Sequence, residues 1–89
     1  MIEIRDLRVD TLRDELEQTF SSGKHYLNTR AADGRVIQFS RWVNMWTHEP
    51  FFPIDTVQLT DDGYVNETTT MTICDTLDEV VAYIKSIRL

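Results

Sequence analysis

Apolar residues recur with helical spacing at the two ends of this 89-residue chain and with alternating spacing through its middle. That change of period points to helices packed on a sheet. Toward the N-terminus, Leu12, Leu16 and Phe20 fall at i, i+4 and i+8 on one helix face. Asp10 or Thr11 can cap that helix, and Ser21-Ser22-Gly23 stops it. Toward the C-terminus, Thr76-Leu77-Asp78-Glu79 is a capping box, and Leu77, Val80, Val81, Ile84 and Ile87 form an apolar stripe. Asp78 and Glu79 suit the positive end of that helix, Lys85 and Arg88 its negative end.

In the middle, residues 24–30 and 35–45 flank the turn Ala32-Asp33-Gly34, and residues 56–60 and 64–74 flank Asp61-Asp62-Gly63. Each pair reads as a hairpin whose Gly can take positive φ. In the last strand Met71 and Ile73 face one way and Thr68, Thr70 and Thr72 the other, a threonine row suited to a solvated sheet face. The expected fold is therefore α+β: an antiparallel four-stranded sheet with N- and C-terminal helices packed on one face, in the order α-β-β-β-β-α, and one domain over residues 1–89. Ile2 and Ile4 leave open a short further strand over residues 2–5.

The chain is too short for two cores, since at this size folding hides only about 60% of the surface of the extended chain. No apolar run reaches the length of a membrane span, and Met1-Ile2-Glu3-Ile4-Arg5-Asp6 has no signal-peptide character, so a cytoplasmic location is expected. A single cysteine, Cys74, fits a reducing compartment and excludes an internal disulfide. Asn66-Glu67-Thr68 spells a glycosylation sequon that has no meaning without secretion. The net charge of −6 is asymmetric: residues 1–45 carry seven acids and seven bases, whereas residues 46–89 carry eight acids against Lys85 and Arg88. Direct binding of nucleic acid through the second half is disfavoured.

Catalytic chemistry finds little support in the residue pattern. Cys74 precedes a helix N-terminus, where a thiol pKa can fall, but Asp75, Asp78 and Glu79 oppose ionisation, so it reads as a structural cysteine. His25 and His48 belong to no metal or catalytic spacing. Asp61 and Asp62 suit a turn, and no glycine-rich phosphate loop is present. No catalytic residue, metal or cofactor is expected, and the chain reads as a non-enzyme.

The unusual segment is Arg41 to Pro53, in which Trp42, Trp46, Phe51 and Phe52 supply four of the nine aromatics. Along an unbroken strand Ile37, Phe39, Val43 and Met45 share a face, and Trp42 and Trp46 take the other with Gln38, Ser40 and Asn44. A Trp pair on an otherwise polar face suits protein recognition. Phe51 and Phe52, stiffened by Pro50 and Pro53, suit either core or interface. Lys24, Arg30, Arg35 and Arg41 cluster on the first hairpin, where Tyr26 or Trp42 could stack bases, but a solvated hairpin balancing the acidic half explains them as well.

In type the chain resembles the small acidic proteins with which bacteriophages disable host defences, including anti-CRISPR proteins and DNA mimics. The likeness is one of size, asymmetric acidity and absence of a catalytic motif. It implies a protein-binding inhibitor that occupies a basic surface on a larger, nucleic-acid-handling protein, with carboxylates where phosphates would lie. The residues expected to meet that partner are Trp42, Trp46, Phe51, Phe52, Glu49, Asp55, Asp61, Asp62 and Glu67. Neither nucleic acid nor membrane is expected as a direct partner. The alternatives are an oligomeric structural subunit from a phage or bacterium, a small enzyme using Cys74 or His48, and a nucleic-acid binder using the basic hairpin.

Overall fold

The computed structural model describes residues 2–87; Arg88, expected at the negative end of the last helix, lies outside them. A 3₁₀ turn over Val9–Thr11 leads into helix α1 (Leu12–Ser21). Strands β1 (Tyr26–Arg30), β2 (Val36–Ser40), β3 (Trp42–Val43), β4 (Pro50–Leu59) and β5 (Val65–Cys74) follow, and helix α2 (Leu77–Ile87) comes last. All pairings are antiparallel: β1 with β2, β2 and β3 with β4, and β4 with β5. The fold is the expected α+β sheet with a helix before it and a helix after it. Among the described residues no helix is long and apolar enough to cross a membrane.

The helix-facing core joins Leu12 and Leu16 of α1, Val80 and Ile84 of α2, and Leu27, Ile37, Phe39, Phe52, Ile54 and Cys74 of the sheet. Residues opposite one another across antiparallel strands share a face. The register Leu27–Phe39–Ile54 therefore runs the core across three strands, and Phe52–Cys74 extends it to β5. Burial of each large aliphatic or aromatic side chain contributes roughly 1.5–3 kcal/mol. Arg13 Nε donates to Asp78 Oδ1 at 2.7 Å and links the two helices at the surface, where solvent screens the pair.

Several expectations are corrected in detail. Neither Asp10 nor Thr11 caps α1: no side-chain cap bond forms at Thr11, and the 3₁₀ turn leads directly into the helix. The capping box of α2 is present, with the Glu79 N–H donating to Thr76 Oγ1 at 3.1 Å. The Glu79 carboxylate accepts from the Asp75 N–H at 2.9 Å. Residues 2–5 form no strand, yet the Arg5 N–H donates to the Asn28 carbonyl at 2.8 Å and the Ile2 N–H to the Gly63 carbonyl at 3.1 Å. These bonds tie the segment to the edge of β1 and to the β4–β5 turn.

The expected strand over 35–45 is interrupted at Arg41 and ends at Val43. Its register is continuous, since Phe39 opposes Ile54 and Trp42 opposes Phe51. Continuing the register sets Ser40 opposite Pro53, whose missing N–H drops one rung of the ladder. Val43 and Met45, expected in the core, are exposed because this arm runs on past the helices. The segment expected to start at 56 begins at Pro50, so the Pro-bounded aromatic stretch is strand rather than connection.

In β5 the alternation breaks at Met71. Ile54 opposes Thr72 whereas Asp55 opposes Thr70, which leaves Met71 as the extra residue of a bulge. Thr72 therefore lies on the core side with Cys74, and Ile73, opposite Pro53, lies on the outer face at 60% exposure. Met71 and Ile73 do not share a buried face, and the threonine row is confined to Thr68 and Thr70.

Candidate functional site

At the end of the sheet where β3 meets β4, the outer face carries an aromatic cluster. Register sets Tyr26 opposite Ser40 and Trp42 opposite Phe51. Trp42 Nε1–H donates to the buried Ser40 Oγ at 3.1 Å. Its ring meets Tyr26 edge-on, with centroids 6.3 Å apart and planes at 75°, a geometry that adds about 0.5–1.5 kcal/mol beyond burial. Trp42 is thus fixed in one orientation while 48% of it faces solvent.

Beyond Val43 the chain turns through residues 44–49, and Asn44 organises the turn. Its Oδ1 accepts from the Trp46 N–H at 2.8 Å and the Thr47 N–H at 3.0 Å. Its own N–H donates to the Glu49 carbonyl and its carbonyl accepts from the His48 N–H, both at 2.9 Å. The Glu49 N–H donates to Thr47 Oγ1 at 3.3 Å. His48 takes φ of 61°, a left-handed conformation that costs a β-carbon residue about 1–2 kcal/mol. Held on this frame, Met45 is 82% and Trp46 88% exposed.

Beside the tip lies a hollow of about 380 Å³ with Pro50, Phe51 and Ile73 on its apolar side and Glu49 and Asp75 among its polar lining. Tyr26, Trp42, Phe51 and Ile73 thus run across four strands on the face turned away from the helices. Exposed apolar strips of this kind are features that recognition surfaces use.

The structure divides the residues expected at the partner surface. Trp42, Trp46 and Glu49 are exposed at the tip, and half-buried Phe51 lines the hollow. Phe52, at 7% exposure, belongs to the core against Phe20, with ring centroids 5.9 Å apart, so it presents no ring to a partner. The reason is parity, since it opposes Cys74 on the helix side. Asp55, at 8% exposure, is likewise buried, with Oδ1 shut off from solvent. It stands in a polar row with Gln38 and Asn28 on the outer face, and Asp55 Oδ1 and Asn28 Oδ1 have no hydrogen-bond partner. Asp61, Asp62 and Glu67 are exposed. The first two sit beyond the opposite end of β4, ten residues or about 33 Å from the tip.

Ser40, Asn44, Met45 and Ile73 were not singled out by sequence reasoning as site residues, and Tyr26 only as a ring on which bases could stack. Asn44 carried a usable signal, an Asn that tends to bond the backbone of a turn, ahead of Thr47-His48-Glu49-Pro50. The others acquire their roles through pairing between strands.

Two of the four basic residues on the first hairpin are engaged locally. Arg35 Nε donates to Asp33 Oδ2 at 2.6 Å, and Arg30 donates to the Gly34 carbonyl at 2.9 Å. Arg41 lies on the helix side with Glu17, Phe20 and Phe52, away from Tyr26 and Trp42. Hydrogen bonds from the Arg35 N–H and guanidinium outweigh desolvation and hold the Asp33 carboxyl below its usual range. Cys74 is buried, and desolvation first, then Glu79 and Asp75, push its thiol pKa up. That keeps sulfur in the protonated, non-nucleophilic form. Among the described residues no group of three His, Cys, Asp or Glu side chains converges as a metal set.

No protein-family model matches the chain, and neither the curated proteins nor the solved structures searched give a match.

Proposed function

We propose that the chain is a non-enzymatic protein-binding module that docks through the aromatic end of its outer sheet face. One observation carries this reading: Trp42 is held by Ser40 and Tyr26 while half-exposed, and Asn44 fixes the backbone turn that carries Met45 and Trp46 into solvent. Ordering the Trp42 ring and the backbone of the tip in advance lowers the entropy cost of association, and Trp is among the residues that dominate interface energetics. Glu49 and Asp75 beside the hollow favour a basic partner surface. A larger nucleic-acid-handling protein, blocked at its basic site in a reducing cytoplasm, fits that surface and the single buried thiol.

The test captures a partner with the native chain and measures its purified form against Trp46→Ala and Trp42→Ala by calorimetry. The expected loss is about 2 kcal/mol or more for at least one Trp, together with displacement of nucleic acid from the partner. Undiminished affinity in both variants would overturn the docking assignment. Concentration-dependent dimers abolished by Trp46→Ala would instead establish the oligomeric subunit.

A further inference from the structure

The geometry points to β5 as the strand that accepts a short, extended, basic segment of a protein partner. β5 pairs with β4 alone, and among the described residues no backbone hydrogen bond reaches its other side. At the opposite side of the sheet, the edge of β1 is engaged by the N–H of Arg5. Residues 65–70 of β5 are exposed throughout. An open row of strand N–H and C=O groups is a template for one more strand, and main-chain bonding supplies the affinity.

The irregularities of β5 set the length of its occupant. Register shifts at Met71 and Asn66 bracket a regular ladder from Glu67 to Thr70. Bulges twist an edge away from extended pairing, so this edge suits a short segment and resists the stacking of whole sheets. Thr68, Thr69 and Thr70 favour the pleated conformation and lack the Lys or Pro that commonly blunts an edge.

Charge selects the occupant. From Trp42 to Ile84 the chain contains neither Lys nor Arg. Asp61 and Asp62 precede β5, Glu67 lies within the regular stretch and Asp75 follows, all exposed. Two copies joined edge to edge would bring these acids together, whereas a segment alternating Lys with Thr or Val would neutralise them. The inference shares with the proposal above the premise of protein binding, a basic partner and Asp75; neither tryptophan takes part, so the two can fail separately.

The experiment titrates the isotope-labelled chain with three short peptides: alternating Lys and Thr, the same peptide N-methylated at alternate amides, and its Glu-for-Lys counterpart. The Lys peptide is expected to slow amide exchange within residues 67–70 and to bind the Trp42→Ala/Trp46→Ala variant equally well. N-methylation and the Glu exchange are each expected to weaken binding about tenfold or more. Absence of Lys-peptide binding, or binding that survives N-methylation, would remove strand addition. Equal binding of the Glu peptide would remove the charge selection. Protection that rises with protein concentration in the absence of peptide would assign the edge to a second copy.

Discussion

Phe52 and Trp42 stand one register step apart on neighbouring strands, yet one is core and the other half-exposed on the outer face. Phe52 opposes Cys74 on the helix side and is buried against Phe20. Trp42 opposes Phe51 on the outer side, where only Tyr26 and Ser40 hold it. The difference lies in strand parity rather than hydrophobicity: one face of the sheet is closed by two helices, and the other ends in an aromatic strip with nothing packed over it. A small domain that invests two tryptophans outside its core leaves stability to the remaining apolar residues.

The sharpest way to break this comparison is to truncate Phe52. Phe52→Ala is expected to cost about 3–5 kcal/mol of stability, enough to unfold much of the population at room temperature. A urea midpoint near that of the native chain would mean that the helix-side core has been misassigned.

The next effect concerns the frame beneath the tip. Asn44→Ala removes the acceptor for two backbone N–H groups and is expected to cost about 1 kcal/mol of stability. It should also weaken partner binding without touching either ring, because Met45 and Trp46 lose their fixed positions. Asn44→Asp should preserve most of both properties, and unchanged amide exchange over residues 45–47 in Asn44→Ala would show that the turn does not need this side chain.

The polar row on the outer face should respond in the opposite direction. Asp55 is buried with one carboxylate oxygen unpartnered, so Asp55→Val is expected to gain about 1 kcal/mol. A lowered urea midpoint would reveal a partner for this carboxylate that outweighs its desolvation.

The smallest effect lies at alkaline pH. Burial, Glu79 and Asp75 raise the folded-state pKa of Cys74 above its unfolded value. Both states keep the proton below the ordinary thiol range, so the group has no pH-dependent effect there. As pH rises past the unfolded pKa, the unfolded chain ionises first, and stability falls until the folded pKa is passed. Cys74→Ala should flatten that alkaline decline, and rapid alkylation of the native thiol at neutral pH would contradict it.

The helices, both glycine turns and the order of elements were legible because each rests on local signals: apolar spacing, the Thr76–Glu79 capping box, and Gly34 and Gly63 at positive φ. The outward facing of Trp42 was legible from alternation. The start of β4 was not, since Pro50 and Pro53 read as strand breakers. Pro53 is tolerated where it interrupts the rung opposite Ser40, a fact visible only once β2 and β4 are paired. The Met71 bulge was equally hidden, because a run of Thr, Met and Ile suits either face. Phe52 suits either core or interface in the sequence for the same reason, since parity along β4 depends on where that strand begins; Asp55 lies on the outer face, and its burial there has no local signal.

The account turns on whether the exposed tryptophans serve recognition rather than folding, and the double variant Trp42→Ala/Trp46→Ala, followed by urea denaturation and by affinity for the captured partner, tests this most directly. The expected result is a stability loss of about 1–2 kcal/mol, from the Tyr26 contact and the Ser40 hydrogen bond that Trp42 gives up, and a loss of about 2 kcal/mol or more in binding. A collapse of stability by about 3 kcal/mol or more, with binding by the folded fraction unchanged, would place these rings in the core and contradict it.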